Sequence, residues 1–204
     1  MNLFRRRAFT TNHMKGFNDF LASWDDPSHP RNRELVTLHE TSFGNISQTG
    51  NLGDYRGHAL SRWHPQFRAS IEPGVRDLVL ILVERFGYIT YTSCDGHPYP
   101  STTLRPTERH VSLLPRTGSE LGEILELMVA VSHEANRTCR GQVRVTVVRH
   151  DLETELSPHP VITWFFFRRG RRVSRNWDRY FAEVDTVTDT LAAGLRRRLT
   201  SNRA

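Results

Sequence analysis

The chain has 204 residues, 37% hydrophobic and 25% charged, with 13 glycines and 10 prolines, so it can bury one full-sized core and is neither collagen-like nor disordered in composition. Its net charge of +6 favours anionic partners, although all but Lys15 of its 28 basic residues are arginine, a skew that a GC-rich genome also produces. No apolar run approaches the ~18–20 residues of a membrane-spanning helix, which excludes integral membrane association. Cys94 and Cys139 make no disulfide framework, and Arg5-Arg6-Arg7 precedes no apolar signal core, so a cytoplasmic setting is expected.

In chain order, residues 1–33 read as an N-terminal arm broken by Asp25-Asp26-Pro27 and His29-Pro30, with Phe17, Phe20 and Trp24 suited to a short docking helix. Residues 34–204 read as one domain. Glu34–Glu40 is expected as a short strand and Thr41–Gly57 as a long loop. Tyr55–His64 (YRGHALSRWH) brings His58, Arg62, Trp63 and His64 together, either as a lid that supplies a histidine to a site or as a loop anchored by Trp63.

Periodicity becomes regular at Pro73. Val75, Leu78, Val79, Leu82, Val83 and Phe86 repeat at helical spacing between Pro73 and Gly87, which predicts a helix over 73–86 with a proline start and a glycine stop. Tyr88–Thr92 predicts a strand running into a turn at Ser93–Pro98, and His110–Leu114 a second strand. Thr117 and Glu120 have capping-box spacing ahead of a helix over about 118–135. Gln142–His150 and Val161–Phe167 predict two further strands, and the stripe from Trp177 to Leu195 a long C-terminal helix with Arg196-Arg197-Arg198 in its last turn. The expected class is α+β, with an antiparallel or mixed sheet in ferredoxin-like βαββαβ order, an extra strand and that long helix.

The chemistry concentrates at Cys94-Asp95-Gly96-His97, where a strand end delivers a thiol, a carboxylate, a flexible glycine and an imidazole. Cys94 and His97 can converge on zinc or iron, and His110, opening the next strand, is the expected third ligand, with a fourth position left for water or substrate. Without metal, the same atoms offer Cys94 as nucleophile, His97 or His110 as base and Asp95 as the group that orients the imidazole. A buried structural cysteine beside an ordinary Asp-Gly turn accounts for the same residues.

The Pro-initiated helix, the Gly-Tyr-x-Thr strand and the Ser93-Cys94-x-Gly96-His97 turn together resemble small bacterial and phage proteins of uncharacterised activity that carry an SCxGH turn. More distantly, Thr92, Ser93, Cys94 and Gly96 are similar to the Thr-Ser-Ser-Cys-Ser-Gly-Arg turn of the tRNA wybutosine-synthesis methyltransferases of the third pathway step, with Asp95 and His97 in place of Ser and Arg. The resemblance spans Pro73 to His97. The methyltransferase likeness implies S-adenosylmethionine as cofactor and tRNA as partner.

Residues 165–180 (FFFRRGRRVSRNWDRY) set Arg168, Arg169, Arg171 and Arg172 beside Trp177, a pattern suited to phosphate contact and base stacking. Asp151, Glu153 and Glu155 alternate after a strand, as a cation site or a wet face. No phosphate-binding loop, GxGxxG, HExxH or GxSxG motif is present. The sequence therefore points to a small enzyme with a Cys/His site at a strand end, metal-assisted or acid–base, acting on an anionic substrate such as RNA. The alternative is a non-catalytic module binding nucleic acid or another partner through residues 165–180.

Overall fold

The computed structural model describes residues 13–40, 46–47, 59–97, 108–168 and 177–201. Its elements are β1 (His13–Met14), α1 (Phe17–Asp25), a 3-10 turn (Pro30–Arg33), β2 (His39–Glu40), β3 (Ile46–Ser47), α2 (Phe67–Ser70), α3 (Pro73–Phe86), β4 (Ile89–Cys94), β5 (His110–Leu114), α4 (Gly118–Thr138), β6 (Val143–Thr154), β7 (His159–Arg168) and α5 (Trp177–Ser201). The class is α+β. None of these helices is long and apolar enough to cross a membrane.

Local signals place the helices. Pro73 opens α3, where its missing N–H costs nothing, and Gly87 closes it at φ 75°, a left-handed conformation that glycine adopts freely. Thr117 Oγ1 accepts the Glu120 N–H at 3.1 Å to start α4, while the Glu120 carboxylate reaches back to the Arg116 N–H. That helix runs one turn beyond the expected end, because Asn136 pairs both its amide groups with the backbone of Val145 and ties the last turn to β6.

The main sheet has the order β1-β6-β7-β5-β4, with β1 parallel to β6 and every other pair antiparallel. In a βαββαβ unit the first strand lies between the third and the last. Here β7 fills that place, between β5 and β6. The strand expected over Glu34–Glu40 shrinks to His39–Glu40, which pairs with Ile46–Ser47 in a separate ribbon. Gln66 explains why: its side chain accepts the Val36 N–H at 3.1 Å and donates to the Val36 carbonyl at 2.8 Å, so a single amide does a strand partner's work while Leu35 stands 91% exposed. The continuous apolar run of β7 suits a central strand covered on both faces, as Glu34–Glu40 does not.

Trp164 on β7 donates to Met128 O and Ser132 Oγ of α4, so one face of the sheet lies under the helices, with α5 packed against both α3 and α4. Strand alternation turns His159 to the other face, where Phe17 of α1 meets its ring at 4.7 Å. Phe17, Phe20 and Trp24 are buried in the same core cluster as the sheet and helices. Glu155 caps the start of α1, accepting the N–H groups of Gly16 and Phe17, and β6 extends to Thr154 to bring it there. Asp151 and Glu153 are exposed.

A candidate metal centre at the end of β4

Cys94 is the last residue of β4, two residues later than the sequence pattern places the strand end, because a bulge between Thr90 and Ser93 carries the strand on to pair Cys94 with His110. Beyond it Gly96 takes φ 82° and folds the chain back. This return sets His97 Nε2 3.4 Å from Cys94 Sγ and lets the Gly96 N–H donate to the same sulfur at 3.4 Å.

The third member of the cluster is Glu72, the residue before the helix-starting Pro73. Its Oε1 lies 3.2 Å from His97 Nε2, and its Oε2 accepts the Asp95 N–H at 2.6 Å. Cys94 Sγ, His97 Nε2 and a Glu72 oxygen all lie within 4.8 Å of one another, a set that could hold a metal ion. The side chains of Glu72 and His97 are 8% and 3% exposed. Cys94 and Glu72 both meet the same imidazole nitrogen. A catalytic triad instead uses the two ring nitrogens separately.

Electrostatics follow from this geometry. Burial works against a charged His97, but the hydrogen bonds and charges of Cys94 and Glu72 outweigh it and lift the pKa from 6.5 to about 10. His110 goes the other way: burial, with smaller repulsion from His150 and His97, brings it down to about 4 against an opposing backbone hydrogen bond at Glu108. His110 is thus neutral at neutral pH.

The structure brings Cys94 and His97 together, with Glu72 as the third member of their cluster. His110 stands across from Cys94 in register, yet it is Glu72 that completes the cluster of converging ligand atoms among the described residues. The Asp95 carboxylate, expected to orient the imidazole, is engaged at the start of α3 and by Arg109. Its Oδ2 accepts the Gly74 N–H at 2.9 Å at the start of α3, and its Oδ1 pairs with Arg109. A side chain at Gly74 would collide with that Asp95 oxygen and with the guanidinium. Glu72 carried one signal in the sequence, an acid directly ahead of a helix-starting proline, but nothing in its spacing linked it to Cys94.

Arg109 is the second buried feature beside the site, 4% exposed. Its Nε donates to the Asp95 carbonyl at 2.9 Å, its Nη1 to Thr188 Oγ1 at 2.7 Å, and its Nη2 to both Asp95 Oδ1 and Asp185 Oδ1, the latter at 2.8 Å. Its backbone N–H donates to Tyr180 Oη at 2.8 Å, and that hydroxyl donates onward to Phe166 O at 2.7 Å.

Of the arginine–aromatic segment, Arg168 ends β7 and Trp177 opens α5, whereas Arg169, Arg171 and Arg172 lie outside the described residues. Trp177 is half-buried and stacks on Phe181 of its own helix with ring centroids 5.9 Å apart, so that face is taken. Of the Tyr55–His64 segment, His64 Nε2 lies 2.6 Å from Glu34 O and Trp63 Nε1 donates to Trp24 O, contacts of the loop-anchoring kind. His58 lies outside the described residues. No protein-family model matches this chain, and no curated protein or solved structure matches it.

Proposed function

We propose that this protein is a metal-dependent enzyme whose centre is one divalent ion, zinc or iron, held by Cys94, His97 and Glu72 and acting on an anionic substrate. The spacing of the ligand atoms carries the reading. A tetrahedral zinc with bonds of about 2.3 Å to sulfur and about 2.0–2.1 Å to nitrogen or oxygen sets neighbouring ligands about 3.3–3.6 Å apart. Sγ to Nε2 is 3.4 Å, Nε2 to Oε1 is 3.2 Å, just short of that range, and all three ligand atoms lie within 4.8 Å of one another. The charges also match, since a dication neutralises a thiolate and a carboxylate that would be costly to bury uncompensated. Three protein ligands would leave a fourth position for a substrate or water oxygen, where a bound ion would supply Lewis-acid polarisation. The backbone N–H groups of Asp95 and Gly96 orient Glu72 and Cys94 from behind, as outer-sphere donors do.

Strand register supports the anionic substrate. Cys94 pairs with His110 and His110 with Phe165, so the end of β7 at Arg168 lies at the same end of the sheet as the site. Arg168 is the first of the arginine run in sequence, and phosphates, including those of RNA, are the anions such a run recognises.

Elemental analysis of the purified, untagged protein beside His97→Ala tests the reading. Near-stoichiometric zinc or iron that disappears in the variant is the expected result. Wild-type protein that neither retains nor takes up either metal overturns it, and leaves thiol chemistry at Cys94 or a binding module.

A further inference from the structure

Arg109 touches none of the three ligand atoms, yet its contacts converge on the residue that holds Glu72. Its Nε and Nη2 grip the carbonyl and the carboxylate of Asp95 together, and this two-point hold fixes the residue whose N–H, in the preceding peptide unit, donates to Glu72 Oε2. The guanidinium is aimed in turn by α5. Asp185 and Thr188, three residues apart and hence on one helix face, accept from Nη2 and Nη1, while Tyr180 receives the Arg109 backbone. Helix α5 thus reaches the candidate metal centre through one buried cation, although it contributes no ligand.

We propose that Arg109 and Asp185 are positioning residues for this centre: α5 sets its metal affinity by holding Arg109 against Asp95, and Asp95 holds the Glu72 carboxylate. This rests on the metal reading above. An unpositioned Glu72 must lose side-chain freedom when it binds the ion, whereas a Glu72 already fixed by the Asp95 N–H has lost it beforehand. Asp185 is the useful handle because its side chain is 68% exposed, so changing it leaves the core intact. Arg109 is itself buried, and its removal takes the cation from the partly buried Asp95 carboxylate.

Zinc(II) affinity is measured by competition with a chromophoric chelator for the wild type, Asp185→Asn, Asp185→Glu and Arg109→Lys, alongside the melting temperature of each metal-free protein. Cobalt(II) substitution reports thiolate ligation and tetrahedral geometry. Asp185→Asn is expected to bind zinc about tenfold more weakly at an unchanged metal-free melting temperature, with Asp185→Glu restoring affinity and Arg109→Lys losing more. Equal affinity in wild type and Asp185→Asn overturns the inference while leaving the metal centre standing. An affinity loss that only follows a fall in melting temperature also overturns it, by reducing the network to a structural brace. A wild type that binds neither zinc nor cobalt removes the metal reading itself.

Discussion

Glu72 and Asp95, 23 positions apart, are joined by a bond of 2.6 Å from the Asp95 N–H to Glu72 Oε2. The Gly74 N–H returns a bond to the Asp95 carboxylate, so the start of α3 and the end of β4 clasp each other across the ligand cluster. Glu72 is therefore held in place rather than free to swing. Glu72→Gln is expected to lower zinc occupancy sharply and His110→Ala to leave it near the wild-type level. The reverse ranking in elemental analysis would return the third-ligand role to His110.

The clasp leaves no room at Gly74. A Cβ there would overlap Asp95 Oδ1 and Arg109 Nη2, neither of which can move without giving up a partly buried ion pair. Gly74→Ala is expected to destabilise the protein by about 1–3 kcal/mol, as overpacking of a filled site does. Urea unfolding checks this, and an unchanged midpoint would show that the clasp yields.

Tyr180 Oη accepts from the Arg109 N–H and donates to the Phe166 carbonyl, joining β5, β7 and α5 in one buried hydroxyl. Burial also pushes its pKa up. Tyr180→Phe keeps the ring and strands the Arg109 N–H, at an expected cost of about 1–3 kcal/mol. Chemical denaturation measures it. A neutral result would mean that water or a backbone shift satisfies that donor.

The two site histidines give metal-free protein a stability maximum in pH. His97, raised from 6.5 to about 10, holds its proton in the folded state, so its contribution is complete below about 6.5 and is lost as pH rises through about 10. His110, lowered to about 4, resists protonation when folded, so stability falls as pH drops from about 6.5 towards 4. After chelator treatment, melting temperature should decline on both sides of about pH 6.5. His97→Gln should flatten the alkaline limb and His110→Gln the acid limb. A wild-type melting temperature that climbs from pH 7 to 9 would contradict the His97 assignment.

What the sequence determined was local. Pro73, Gly87 and Thr117 mark helix ends through their own backbone conformation or hydrogen bonds, and apolar spacing identifies α3, α4 and α5 because one helix face must be buried. Gly96 announced the turn that brings His97 back to Cys94, since only a few residues separate cause and effect.

What tertiary structure decided was partnership between distant residues. Glu72 joins Cys94 because α3 packs beside β4, Arg109 claims Asp95 because α5 presents Asp185 and Thr188 to it, and β7 takes the central place once expected of Glu34–Glu40. Hydrophobic periodicity encodes which face is buried but not what lies against it. The pairing of elements, and with it the place of Glu72 beside Cys94 and His97, emerges only when several faces compete for one core.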